Sequence, residues 1–265
     1  MEIQSLKLVY FSPTGTTETI IQGIARRFNQ DHVEEVDVTK PEARKKQLQA
    51  SENELLVVGV PVYGGRVPVV AIDWLRTIKA NRTPAVCVVV YGNREFDDAL
   101  LELKDTLVEC DCVPIACAAF IGEHSFSSVK IPIAADRPDM DDINHAELFG
   151  EKVNQKLLSV ESVDHVSEIT VPGSYPHREF KSWVVDFIAV NEQCSLCGVC
   201  AQGCPAGAIE LENSVLVEHK KCILCCACIK NCPENALTVK TGKIRDVALR
   251  LNQMCQERKE PEFFF

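Results

Sequence analysis

The chain has 265 residues, with 38 acidic against 28 basic side chains and a formal net charge of −10. That balance, with no local Lys/Arg cluster, argues against a nucleic-acid footprint and favours steered encounters with basic patches on partner proteins. The length favours two domains with a sizeable core in the larger, and no apolar stretch reaches membrane-spanning length.

Taken in chain order, MEIQSLKLVYF runs straight into a strand pattern with no signal-peptide profile. Residues 1–160 then alternate short β-branched runs with amphipathic stretches, the pattern of a doubly wound parallel sheet. Strands are predicted at 6–11, 33–38, 55–60, 85–91 and 114–121, and helices at 16–29, 67–80, 97–109 and 141–160. The fold class is therefore α/β, a five-stranded parallel sheet, with a second, smaller α+β domain. Over 161–190 the pattern lapses into a charged, Pro-containing joint. Residues 191–240 form the cysteine-rich domain. The remainder, 241–265, holds a helix predicted at 243–258 and a terminus of Phe263, Phe264 and Phe265, expected to pack as a strap on its own protein.

The first strand is followed by Ser12, Pro13, Thr14, Gly15, Thr16 and Thr17, and then directly by a helix. Hydroxyls and backbone N–H groups at a helix N-terminus suit a phosphate. The loop has no lysine for a nucleoside-triphosphate site, no G-x-G-x-x-G for a dinucleotide and no cysteine nucleophile. A plain strand-to-helix capping loop is the alternative.

Eight of the fourteen cysteines repeat one pattern, C-x2-C-x2-C-x3-C-P, at Cys194, Cys197, Cys200 and Cys204 and again at Cys222, Cys225, Cys228 and Cys232. This is the bacterial two-cluster run, in which the fourth cysteine of each half ligates the other [4Fe-4S] cubane. One set is then Cys194, Cys197, Cys200 and Cys232, and the other Cys222, Cys225, Cys228 and Cys204. Structural zinc is the alternative, but it usually takes two separated CxxC pairs. The spacing leaves Cys226 as a packing residue, and Cys87 and Cys117 read as core thiols. Reduced, cluster-ligating cysteines fit a cytoplasm with little oxygen.

The first part resembles flavodoxin, whose FMN sits at the switch point between the first and third strands. FSPTGTT, PVYGGRVP, YGNREFDDAL and GEHSFSS, with the eight-cysteine module, are together similar to the flavodoxin–ferredoxin fusion proteins of anaerobes, the EFR1-type ferredoxin family. The resemblance implies FMN phosphate at Ser12, Thr14, Gly15, Thr16 and Thr17. It implies an isoalloxazine clasped by Pro61, Val62, Tyr63, Gly64 and Gly65 and by Gly92, Asn93, Arg94, Phe96 and Asp97. His124 lies at the same edge as a further contact, and Tyr63 is the candidate for the ring face. The second loop lacks the stacking tyrosine common in flavodoxins.

Two functions are expected from these residues. In one, the chain carries electrons among FMN, two [4Fe-4S] clusters and redox partner proteins met through its acidic surface. In the other, it is an FMN-dependent reductase of a small molecule fed through its own clusters. The carrier is favoured because no loop contributes an acid/base pair beyond the flavin site.

Overall fold

The computed structural model describes residues 1, 3–28, 32–180 and 183–265. The end of the helix predicted at 16–29 and two positions of the 161–190 joint, 181 and 182, lie outside them.

The first region runs β1 (Ser5–Tyr10), α1 (Thr16–Ala25), β2 (Val33–Asp37), β3 (Glu54–Pro61), α2 (Val69–Leu75), β4 (Thr83–Tyr91), α3 (Ala99–Glu109), β5 (Cys112–Ile121) and α4 (Met140–Ser159). The second runs β6 (Ile188–Val190), α5 (Val199–Gln202), β7 (Ile209–Leu211), β8 (Val215–Val217), α6 (Ala227–Lys230), β9 (Leu237–Val239), α7 (Lys243–Met254) and β10 (Glu262–Phe264).

The main sheet corrects the expectation of five parallel strands, because it has six in the order β10-β5-β4-β3-β1-β2. β10 adds antiparallel to β5, pairing Phe263 with Ala118 and Phe264 with Cys117. Phe263 and Phe264 thus form the edge of the sheet. Phe263 stacks obliquely on Phe120 and Phe149, at centroid separations of 5.6 and 4.9 Å. Such aromatic pairs add about 0.5–1.5 kcal/mol each beyond the area they bury.

β4 is buried at all nine positions and β3 at seven of eight, as continuous apolar runs in a two-sided parallel sheet must be. β2, VEEVD, stands at the opposite edge and is largely exposed, its carboxylates discouraging further strand pairing. One sheet face is covered by α2 and α3, the other by α1 and α4. Gly23 and Gly150 permit the close α1–α4 approach: a Cβ at Gly150 would stand 2.2 Å from the Ile24 carbonyl oxygen.

α2 is shorter than the span predicted for it. Past Leu75 the backbone turns to pair with 48–50, Lys79 N–H donating to the Leu48 carbonyl and Ala50 N–H to that of Lys79. Likewise α7 ends at Met254, and Cys255 offers its carbonyl elsewhere.

The described part of 161–190 is anchored at a few apolar positions. Ile169 and Val171 enter the α2/α3 core, and Ile188–Val190 pairs with β9 in the second region. No described helix is long and apolar enough to cross a membrane.

Candidate functional site: a four-loop edge and two cysteine cavities

The loops after β1, β3, β4 and β5 all leave carboxyl ends of parallel strands, where α/β sheets place ligands. In the first, Gly15 has φ +82° and caps α1, and a Cβ there would meet nothing within 4 Å. Ser12 accepts from Glu18 N–H through Oγ at 3.0 Å, and its own N–H donates to Thr39 Oγ1 at 2.8 Å. Thr17 is fully buried, and its Oγ1 has no hydrogen-bond partner. An open glycine cradle beside an orphaned buried hydroxyl at a helix start fits an oxyanion.

The second loop is a tight turn. Tyr63 and Arg66 exchange backbone bonds at 3.0 and 3.2 Å, with Gly64 and Gly65 both at positive φ, 62° and 80°. Those signs define a type I′ turn, which explains the paired glycines. Pro61 is the last residue of β3, and Val62 N–H donates to the Val90 carbonyl. The turn sets Tyr63 beside Ser125, Cys225 and Cys226. Burial foremost, then Cys225, holds the Tyr63 phenol well above its usual range, so it stays neutral.

The third loop, residues 92–98, makes most of its contacts within the protein. Asn93 is buried at φ +63°, and its Nδ2 donates to the carbonyls of Cys255 and Glu257. Arg94 pairs with Asp97, and Phe96 turns inward against Tyr91 at 5.5 Å. Asp97 also receives Arg178 at 2.9 Å. Gly92 lies against the fourth loop, the His124 ring occupying the space a Cβ would need.

His124 Nδ1 accepts from Phe126 N–H at 3.0 Å, which places the proton of a neutral imidazole on Nε2. Burial chiefly, then the charges of Lys230 and Arg94, lowers His124 to about 4. Lys230 also pairs with Glu123 at 3.0 Å.

The second region meets this edge directly. Asn231 Nδ2 donates to the Pro13 carbonyl at 3.3 Å, and Arg44 to that of Pro205 at 2.5 Å. Neither Lys230, Asn231 nor Arg44 carries a sequence signal for this, since each reads as an ordinary exposed polar residue.

The cysteines line two cavities. Cys194, Cys197, Cys200 and Cys232 stand around one, and Cys204, Cys222, Cys225 and Cys228 around the other. These are the two groups of four that the spacing sets apart. The sequence repeat is also a repeat of conformation: Leu196 and Leu224, Gly198 and Cys226, and Gly207 and Asn235 all have positive φ. Each crossing thiol accepts a backbone N–H four residues on, Ala208 to Cys204 Sγ at 3.2 Å and Ala236 to Cys232 Sγ at 3.3 Å.

Burial first raises the thiols of Cys222, Cys225 and Cys228, the last to about 12. Among the described residues no three His, Cys, Asp or Glu side chains converge on a single-ion position. Four soft sulfur donors around an apolar cavity fit a cluster larger than one ion. Cys226 is buried in the second cavity, with its Sγ toward the Leu224 carbonyl at 3.8 Å. Cys87 and Cys117 are fully buried neighbours on β4 and β5.

The family model for the flavodoxin domain matches residues 7–125. Several solved structures are similar. A flavodoxin from the domain Archaea is 14% identical with a TM-score of 0.41, over 61% of this chain and 100% of its own. The flavodoxin of Streptococcus pneumoniae TIGR4 is 19% identical with a TM-score of 0.39, over 57% and 99%. Oxidised Flavodoxin 2 from Bacillus cereus is 17% identical with a TM-score of 0.38, over 58% and 99%. No curated protein matches the chain. The N-terminal region is a flavodoxin-like domain, with β2-β1-β3-β4-β5 in the flavodoxin-like order and an antiparallel strand added at its edge.

Proposed function

We propose that the chain is an electron-transfer protein that holds FMN on its four-loop edge and two [4Fe-4S] clusters in its cysteine cavities. On this reading it passes electrons among them and redox partner proteins. The observation that carries the reading is the position of the second four-cysteine cavity, whose Cys225 lies beside Tyr63 of the flavin-edge turn. Two candidate cofactor sites thereby share one junction.

FMN would supply one- and two-electron chemistry, and each cluster one-electron chemistry. The chain's own residues bind and insulate. Gly15 leaves room for the phosphate at the start of α1, and Thr17 offers it an unpartnered hydroxyl. Tyr63, held neutral, provides an aromatic face at the junction. The N–H bonds to Cys204 and Cys232 sulfur stabilise thiolate charge. His124, neutral near pH 7, adds no charge beside the ring.

Anaerobic purification and reconstitution, with iron, sulfide and flavin counted, test the reading. About eight irons, eight sulfides and one FMN per chain are expected, with the clusters bleaching on reductive titration. Zinc in place of iron, or no flavin, overturns it. Saturable reduction of one small molecule at about 10 per second would make the protein a reductase instead.

A further inference from the structure

Both chain segments that join the second region to the first are fastened to a single loop, residues 92–98. The incoming segment is held by Asp98, whose side chain is buried. Its Oδ1 accepts from Ser174 N–H at 3.0 Å and its Oδ2 from Arg178 N–H at 2.8 Å. The Arg178 side chain adds a 2.9 Å contact to Asp97.

The outgoing tail is held by Asn93, whose amide donates to the Cys255 and Glu257 carbonyls at 3.2 and 2.8 Å and accepts from Lys259 N–H at 3.2 Å. Lys259 Nζ returns to the Arg94 carbonyl at 2.6 Å and to Glu95 at 2.7 Å. The loop is in turn locked to the turn that carries Tyr63. Asp98 N–H donates to the Gly65 carbonyl at 3.1 Å, and Asp97 fills the space that a Cβ on Gly65 would take.

These bonds share a property that a generic surface loop lacks. Asn93 and Asp97 adopt positive φ, 63° and 49°, a conformation costing a non-glycine residue about 1 kcal/mol. Asn93 and Asp97 both grip the crossing segments, whereas Asp98, which grips the incoming one, has an ordinary negative φ of −91°. A free linker would leave those polar groups to water, whereas Asn93 and Asp98 are each 4% exposed.

We infer that loop 92–98 is the fastening that holds the second region fixed against Tyr63, with Asn93 and Asp98 as its positioning residues. The two regions then exchange electrons in one rigid arrangement and not by swinging about the 161–187 segment. Deepening the proposed function, the inference rests on that reading for what is exchanged: one electron leaves the reduced group and arrives on its neighbour, and no bond is made or broken. A fixed gap makes the rate independent of any closing motion.

The test uses the full chain carrying FMN and iron–sulfur clusters, with Asn93→Ala and Asp98→Asn as separate variants. Glu147→Ala, which breaks ion pairs to Arg26 and Arg27 on the far face, is the control for general destabilisation. Hydrogen exchange of amides at 174–178 and 255–260 is expected to accelerate at least tenfold in the two variants and not in the control. The radius of gyration from X-ray scattering should rise with it. The flash-photolysis rate between flavin and clusters, read on the fraction of chains that carry both, should fall at least tenfold and become sensitive to viscosity.

Unchanged exchange and scattering in both variants overturn the inference. So does a viscosity-dependent rate in the unaltered protein, or an unchanged rate in variants whose regions have come apart. Missing FMN or iron in the unaltered protein would sink the proposed function alone, because exchange and scattering report on the fastening regardless.

Discussion

Replacing Gly15 by aspartate separates the phosphate loop from the rest of the fold. Gly15 has φ +82°, so any side chain carries a backbone cost of about 1–2 kcal/mol, but a Cβ there touches nothing within 4 Å. Gly15→Ala should therefore cost about 1 kcal/mol in stability and weaken FMN only slightly. Gly15→Asp adds a negative charge at the same open position. Against a phosphate dianion about 5 Å away, that charge costs about 1.7 kcal/mol even at the dielectric of bulk water, and several times more at the partly buried edge. The minimum is more than tenfold in Kd. Titration of the flavin-free protein with FMN, followed by quenching of flavin fluorescence, reads the difference. Thermal melting of both variants checks that the fold cost is shared. An aspartate variant that still copurifies with stoichiometric FMN would refute the placement of the phosphate.

Cys228→Ser should lower iron toward about four per chain, whereas Cys226→Ser should keep about eight. Cys226→Gly should do the same, since Gly198 adopts that conformation in the other half of the repeat. Equal iron loss in the serine variants would contradict the ligand choice. His124 supplies the pH prediction. Its folded pKa of about 4 lies below the ordinary 6.5, so folding keeps the ring neutral, and the stability this group permits is lost as pH falls from about 6.5 to 4. The full loss is about 3 kcal/mol, so urea denaturation at pH 7, 5 and 4 should show His124→Asn losing that much less than the unaltered protein. Parallel losses would show that His124 is not held neutral.

The strand core was legible because β-branched runs such as VCVVV have few alternatives to a two-sided buried sheet. Element ends were less so, since they depend on partners distant in sequence: residues 79–81 leave the helix pattern and pair their backbone with 48–50. The tail illustrates the same limit. Three terminal phenylalanines announce burial, but nothing in EFFF announces an antiparallel partner on β5. Loop 92–98 is the sharpest case. The resemblance reads its residues as flavin contacts, and the structure adds the bonds that two of them make to the crossing segments. Composition states that Asn93 must hydrogen-bond and is silent on the tail that it bonds.

The cysteine repeat marks where sequence information ends and tertiary contact begins. Both halves have the same spacing, the same N–H to sulfur bonds on the crossing thiol and the same alternation of positive φ, so the conformation of each half is fixed locally. Their surroundings are not. Cys197 in the first half is exposed, while its equivalent Cys225 is buried beside Tyr63. Gly198 corresponds to Cys226, a thiol in a strained conformation on the side that meets the first region. Local pattern therefore makes the two cavities alike, and the docking of one region on the other makes them different. The contacts from Asn231 to Pro13 and from Lys230 to Glu123 decide which cavity is the inner one, and those are the contacts that spacing cannot encode.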